Sequence, residues 1–274
     1  MSIKKPNILL GAVSGNYTTF DVRNWVESAK NVLSIDDRIS LLVYNAQDNR
    51  DLISYLHGEG VEVYEPMFDL WGQQIGRFET NTGTLTQENG YKLIHNIRFL
   101  HFWHLLSQIQ YNQVLITDVK DVIINKNPFN KYHDHDDFVI ASSEEILYCD
   151  HEWNRVHIEQ TFGLVSLNLL DKPVYNVGVV LGKGQILLNL CIDIYLNAIN
   201  KHKVADQTAF NYLIQHSYKK HTVFTDLQDK WAVHLHVINE GKVAFDLNTL
   251  KDYVIIHQYD RLKDEILNYY TLPQ

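Results

Sequence analysis

Before residue 65 the apolar positions switch repeatedly between unbroken runs and helical spacing. Residues 7–13 (NILLGAV) form an unbroken run that predicts a strand. After polar Ser14, Gly15 and Asn16, residues Val22, Trp25, Val26, Ala29 and Leu33 recur at the spacing of one helix face, with Asp21 in the N-cap region. Residues 39–44 predict a second strand, 51–57 a short helix stopped by Gly58, and 61–64 a third strand. Strand–helix–strand–helix–strand order implies parallel pairing, because a parallel return needs a crossover. Residues 68–90 are polar and Gly-rich with little periodicity, which predicts a long mobile connection of the kind that is usually functional. A long helix is expected over 91–109, with Leu93, Ile94, Ile97, Phe102, Leu105 and Leu106 toward the core, and a strand over 113–117. The second half is less regular. Strands are expected at 137–141, 173–181 and 253–256, helices at 185–199 and 205–216, and a helical tail after Arg261, while 145–163 shows no clean period. With no repeat or linker, the expectation is one α/β domain over 1–274, with a Rossmann-like, mostly parallel sheet.

The strand at 113–117 runs straight into Asp118 and Asp121 before the chain turns apolar again at Val122. Charged groups rarely go inside unless paired or bound to a metal, and open α/β sheets bind ligands beyond the carboxyl ends of their strands. The pattern points to a divalent cation gripping a phosphate-bearing ligand; two turn aspartates are the plain alternative. His257, at the tip of the late strand, is a candidate nitrogen ligand of the same ion, or else a satisfied core histidine. Gly178 inside Tyr175-Asn176-Val177-Gly178 marks a bulge or a close approach, with Asn176 suited to sugar hydroxyls. Asp206 and Gln207 open a helix, where capping is the commoner meaning. His133-Asp-His-Asp-Asp137 reads as a solvated loop, and Gly182-Lys-Gly184 lacks the spacing of a phosphate loop.

Composition narrows the classes. The 274 residues carry a net charge of −9 with scattered Lys and Arg, which argues against nucleic-acid binding. No apolar run approaches a membrane span, and the N-terminal run is cut short by Gly11 and Ser14-Gly15-Asn16, so a signal peptide is not expected. The two cysteines, Cys149 and Cys191, read as free core thiols, which suits the cytoplasm. Trp71, Trp153 and Trp231 offer sugar-stacking faces or packing.

These pieces, in this order, resemble a GT-A fold nucleotide-sugar-dependent glycosyltransferase. ILLGAVSGNY comes first, and a helix with Arg98 precedes LITDVKDVIINKNPF, which resembles the family's D-x-D region in a DVRDV-like form. YNVGVV, DQTAFN and IIHQYDR resemble the N-x-G strand, the D-Q helix start and the late metal-binding histidine of family 8-like enzymes. The resemblance covers about residues 7 to 261. It implies a nucleotide-binding half at about 1–125 and an acceptor-binding half at 126–274. Ala12, Val13 and Tyr17 would hold the base, and Arg98 would approach the diphosphate or the aspartate pair. Asp118, Asp121 and His257 would hold Mn²⁺ or Mg²⁺, while Asn176, Asp206 and Gln207 would line the sugar and acceptor pocket. The family spaces its aspartates one residue apart and this chain two, which leaves open which carboxylate touches the ion. The implied reaction moves a sugar from a UDP-sugar, or a GDP-sugar, to a hydroxyl of a glycan or small acceptor. Asp206 or Glu144 would act as base if the reaction inverts; the family 8-like motifs lean towards retention, with Asp206 and Gln207 steadying the sugar. A metal-dependent nucleotidyl or phosphoryl transferase would want a glycine-rich phosphate loop, which is not evident. A sugar-binding module without turnover is the third reading.

Overall fold

A computed structural model describes residues 5–80, 92–132, 137–199, 201 and 204–262. The first apolar run is β1 (Ile8–Ser14), buried on both faces: Leu9 enters one core cluster, Ile8 and Leu10 the other. α1 (Thr19–Val32) opens with a capping box in which Thr18 N and Oγ1 both donate to Asp21 Oδ2 at 2.8 Å. β2 (Arg38–Tyr44), α2 (Arg50–Gly58) and β3 (Glu62–Tyr64) follow as expected, and β1, β2 and β3 pair in parallel. α3 (Ile94–Gln108) leads into β4 (Gln113–Thr117), parallel to β1 on its other side. Residues 81–90 of the expected mobile connection lie outside the described residues; the described part, 68–80, is anchored by buried Ile75 and Phe78.

After the aspartates comes a short strand the apolar pattern did not separate, β5 (Val122–Ile124). β6 (Val139–Leu147) runs well past the expected 141, and α4 (Glu152–Phe162) fills the stretch without a clean period. α4 hides its helical pattern because only Asn154 and Ile158 are buried, so no apolar stripe is required. β7 (Pro173–Lys183), α5 (Gly184–Ala198) and α6 (Asp206–Gln215) match expectation. β8 (Thr222–Thr225) joins the main sheet; β9 (Ala232–His234), α7 (Leu235–Asn239) and β10 (Ile255–His257) complete the chain. The histidine loop at 133–136 and the expected helical tail lie outside the described residues.

The seven strands run in the order β3-β2-β1-β4-β7-β6-β8, mostly parallel, with β7 antiparallel to both neighbours. One face is covered by α3, α5 and α6, the other by α1 and α2. A second sheet, β5-β10-β9, carries His257. Strands from both halves of the chain build the main sheet. Among the described residues no helix is long and apolar enough to cross a membrane. Both cysteines are free, and Cys191 is buried as expected. Cys149 is instead exposed, because the turn Tyr148–Asp150 sends Tyr148 inward and Cys149 out.

Candidate functional site

β1 has β2 on one side and β4 on the other, and the chain leaves β1 into α1 on one face while α3 enters β4 from the other face. Their carboxyl ends therefore open a crevice, the place where open α/β sheets hold ligands. A cavity of about 570 Å³ occupies it, lined by Ala12, Val13, Tyr17, Arg98, Asp118 and Asp121 among others. Trp25 Nε1 donates to Thr117 Oγ1 at 2.8 Å and ties down the end of β4. Val119 then packs over Gly11, where an added Cβ would lie 2.5 Å from the valine methyl. With Val119 turned inward, Asp118 and Asp121 both line the cavity.

His257 comes from the second sheet. Its Nε2 lies 3.5 Å from Asp118 Oδ2 and 3.7 Å from Asp121 Oδ1. That nitrogen is buried and has no hydrogen-bond partner. Gln258 sits at φ 62°, a left-handed conformation uncommon for a residue with a side chain, and its N–H donates to the Asp121 carbonyl at 2.7 Å. This bond locks the late strand against the aspartate turn. His257 Nδ1 lies 3.0 Å from His234 Nδ1. Burial, then the neighbouring His257, holds the His234 pKa well below its ordinary value. With His234 neutral, its Nδ1 can accept from His257 Nδ1–H, the tautomer in which a cation displacing any proton on His257 Nε2 would find a lone pair there.

Electrostatics mark the same three groups. Burial alone would raise the Asp118 pKa, but Arg98 and His257 overcome it and hold the carboxyl far below the usual range. Asp121 moves the other way, pushed up by burial and by Asp118. His257 is raised because the two carboxylates outweigh its burial. The Tyr17 hydroxyl is pushed up to about 12 by burial and then by Asp118 and Asp121. Two carboxylates and one imidazole, with ligand atoms within 4.8 Å of one another, suit Mn²⁺ or Mg²⁺.

Behind Arg98 lies a buried polar layer. Arg98 donates from Nη1 to Asp118 Oδ1 at 2.5 Å and from Nη2 to Asp206 Oδ2 at 2.9 Å. Arg98 thus reaches the aspartates, one of the two positions the motif implied. Asn176 Nδ2 donates to Glu144 Oε1 at 2.6 Å, and Gln207 Nε2 reaches the same oxygen at 3.4 Å and Asn154 Oδ1 at 3.0 Å. Burial pushes the Glu144 carboxyl up, only partly offset by these bonds. Glu144, Asn176, Asp206 and Gln207 are not among the side chains lining the 570 Å³ cavity. Trp231 is core, while Trp71 and Trp153 are exposed away from the cavity lining.

Gly178 sits hard against the Asp118–His257 cluster. A Cβ there would lie 2.5 Å from Asp118 Oδ2, 2.7 Å from His257 Cε1 and 2.9 Å from Asn176 Oδ1. Its carbonyl accepts from Asp118 N at 2.8 Å. Gly178→Ala is expected to cost about 1–3 kcal/mol by overpacking and to weaken Mn²⁺ binding about 10- to 100-fold, measured by denaturant unfolding and by metal titration. Unchanged Mn²⁺ affinity in a folded Gly178→Ala chain would sink this reading of the glycine.

His234, His95 and Lys120 escaped the sequence reading. His95 and Lys120 line the cavity. For His234 a signal existed: Ala232-Val233-His234 and Ile255-Ile256-His257 are two apolar pairs each followed by histidine, and they pair in register. Partners in register present side chains on one face.

No protein-family profile matches the sequence, and no curated protein matches it. Solved structures do. The bifunctional glycosyltransferase WbbM superposes with a TM-score of 0.52 at 12% identity, over 98% of this chain and 50% of that one. The galactosyltransferase LgtC, in complex with donor and acceptor sugar analogues, superposes with a TM-score of 0.52 at 15% identity, over 96% of each chain. This chain has the GT-A fold. The glycosyltransferase GlyE of Streptococcus pneumoniae TIGR4 gives a TM-score of 0.50 at 15% identity, over 93% of this chain and 55% of that one. The chain thus spans about half the length of WbbM and GlyE and nearly all of LgtC.

Proposed function

We propose that this protein is a metal-dependent glycosyltransferase that moves a sugar from a nucleotide diphosphate sugar, a UDP-sugar in the first instance, to a hydroxyl acceptor. The observation that carries the proposal is the buried, partnerless His257 Nε2 aimed at Asp118 and Asp121 in the crevice of a GT-A fold. A divalent cation held there would neutralise charge building on the departing nucleotide diphosphate. Asp118, Asp121 and His257 hold the cation. Ala12, Val13 and the face of Tyr17 frame the base, and Lys120 and Arg261 at the cavity lining meet the phosphates. Arg98 fixes Asp118 and Asp206 in place together. Asn176, Asp206 and Gln207 form the buried polar layer that backs Arg98 behind the cavity wall.

Retention of configuration is the favoured course. Inversion needs a carboxylate base free beside the acceptor. Asp206 is pinned by Arg98, and Glu144 is buried and bonded to Asn176, so neither faces the cavity as a free base.

Calorimetric titration with a panel of UDP- and GDP-sugars, with Mn²⁺ and then with EDTA, tests the proposal. One donor is expected to bind only with the metal present. A folded chain that binds none of them would overturn it.

A further inference from the structure

A second cluster of ligand-type side chains lies apart from the donor crevice. His151 precedes α4 and is buried. His236 in α7 and Glu240, four residues on, share one face. His236 Nε2 is 3.1 Å from Glu240 Oε1, and His151 Nε2 is 3.5 Å from Glu240 Oε2. The two imidazoles stand near-perpendicular, at 70° with centroids 6.2 Å apart. All three ligand atoms fall within 4.8 Å of one another.

The dimensions select an ion. Zinc binds imidazole nitrogen and carboxylate oxygen at about 2.0–2.2 Å in a tetrahedron, which sets ligand-to-ligand edges of about 3.3–3.6 Å. The two distances, 3.1 Å to Glu240 Oε1 and 3.5 Å to Oε2, are close to that range but run to different oxygens, so the partly exposed carboxylate and the His236 ring would turn to present one oxygen and two nitrogens to the ion. Two nitrogens and one oxygen are a zinc-like donor set with a fourth position left for water.

Three competing bonds must yield: the Lys242 pair and the two that His151 Nδ1 makes with Asn154, from its backbone N at 3.4 Å and from its amide. Lys242 Nζ is 2.8 Å from Glu240 Oε2, but each side chain is about a third exposed, and such pairs are weak. His151 Nδ1 is 3.2 Å from Asn154 Nδ2. An ion on Nε2 moves the ring proton to Nδ1, so the capping bond from Asn154 N is given up and the Asn154 amide, turned over, offers its oxygen to that proton. That turn breaks the bond Asn154 Oδ1 accepts from Gln207 Nε2, so an ion here is felt in the polar layer behind Arg98.

We propose that His151, His236 and Glu240 bind a zinc ion that clamps α4 to α7, at a site built from none of the donor-site residues. The proposal does not rest on the transferase reading. Its test titrates the metal-free full chain with zinc chloride alone, in an Asp121→Asn background that weakens the other centre, with and without Glu240→Gln. The Asp121→Asn chain is expected to take up one equivalent of zinc, and X-ray absorption to show two imidazole nitrogens. Adding the near-isosteric Glu240→Gln is expected to weaken that uptake about 100-fold without changing the circular-dichroism melt. Natively folded Asp121→Asn that takes up no zinc overturns the proposal, as does a Glu240→Gln chain that retains full affinity. A chain that binds zinc but no nucleotide sugar keeps this site and loses the transferase reading.

Discussion

Asp121→Asn is expected to lower sugar transfer about a thousandfold while raising the melting temperature of the metal-free chain. The two effects share one cause. Asp121 is buried beside Asp118, so its carboxyl is pushed up, first by burial and then by its like-charged neighbour, with His257 offsetting only part. A carboxyl whose folded pKa is raised binds more protons folded than unfolded between the two values. Stability therefore falls as pH rises from the usual value of about 4 through the folded value. Asparagine keeps the shape and removes that loss, so the variant's advantage is full above the folded pKa and vanishes below the usual one. A dication would neutralise the same carboxylate, so the residue whose burial costs stability is the one the proposed reaction would use. Initial rates with Mn²⁺, together with melting curves in EDTA at both ends of the pH range, check the pair. Normal rates, or a lower melting temperature at neutral pH, would remove Asp121 from the metal centre.

Arg98→Met is expected to destabilise the chain by about 3–5 kcal/mol, the usual cost of removing one partner from a buried ion pair. Arg98 is 6% exposed and Asp206 only 2%, so methionine would leave Asp206 charged, buried and unpaired. The guanidinium bridges two carboxylates in a fixed fork, a geometry that a lysine point charge cannot copy. Arg98→Lys should therefore recover little, whereas Arg98→Met with Asp206→Asn should recover much of the loss. Urea unfolding measures all three. A single variant within about 1 kcal/mol of the parent would mean the pair is worth no more than a surface one.

The comparison of sequence and structure divides along a physical line. The β1-α1-β2-α2-β3 half was legible because each element carries its own period and stop signal, from the Val22-to-Leu33 stripe to Gly58. The aspartates were legible because carboxylates at the tip of an apolar strand contradict their surroundings. Gly178 was legible as a close approach, though not what approached. α4 was not legible, since a helix that buries only Asn154 and Ile158 leaves no periodic trace. β5 and β9 are three residues long, too short for any pattern to show, and yet they flank β10 and so help hold His257.

Sequence alone therefore determined the α/β class, the parallel first half and the identity of the acidic turn, because local periodicity and the cost of burying charge act over a few neighbouring residues. Tertiary structure decided that Val119 turns in so that both aspartates line the cavity. It decided that Arg98, already bonded to Asp118, also reaches Asp206, 108 positions further along the chain than Arg98 itself, and that His234 backs His257. Those relations depend on which strands lie side by side, and that is settled by packing the whole sheet between its helices rather than by any one segment.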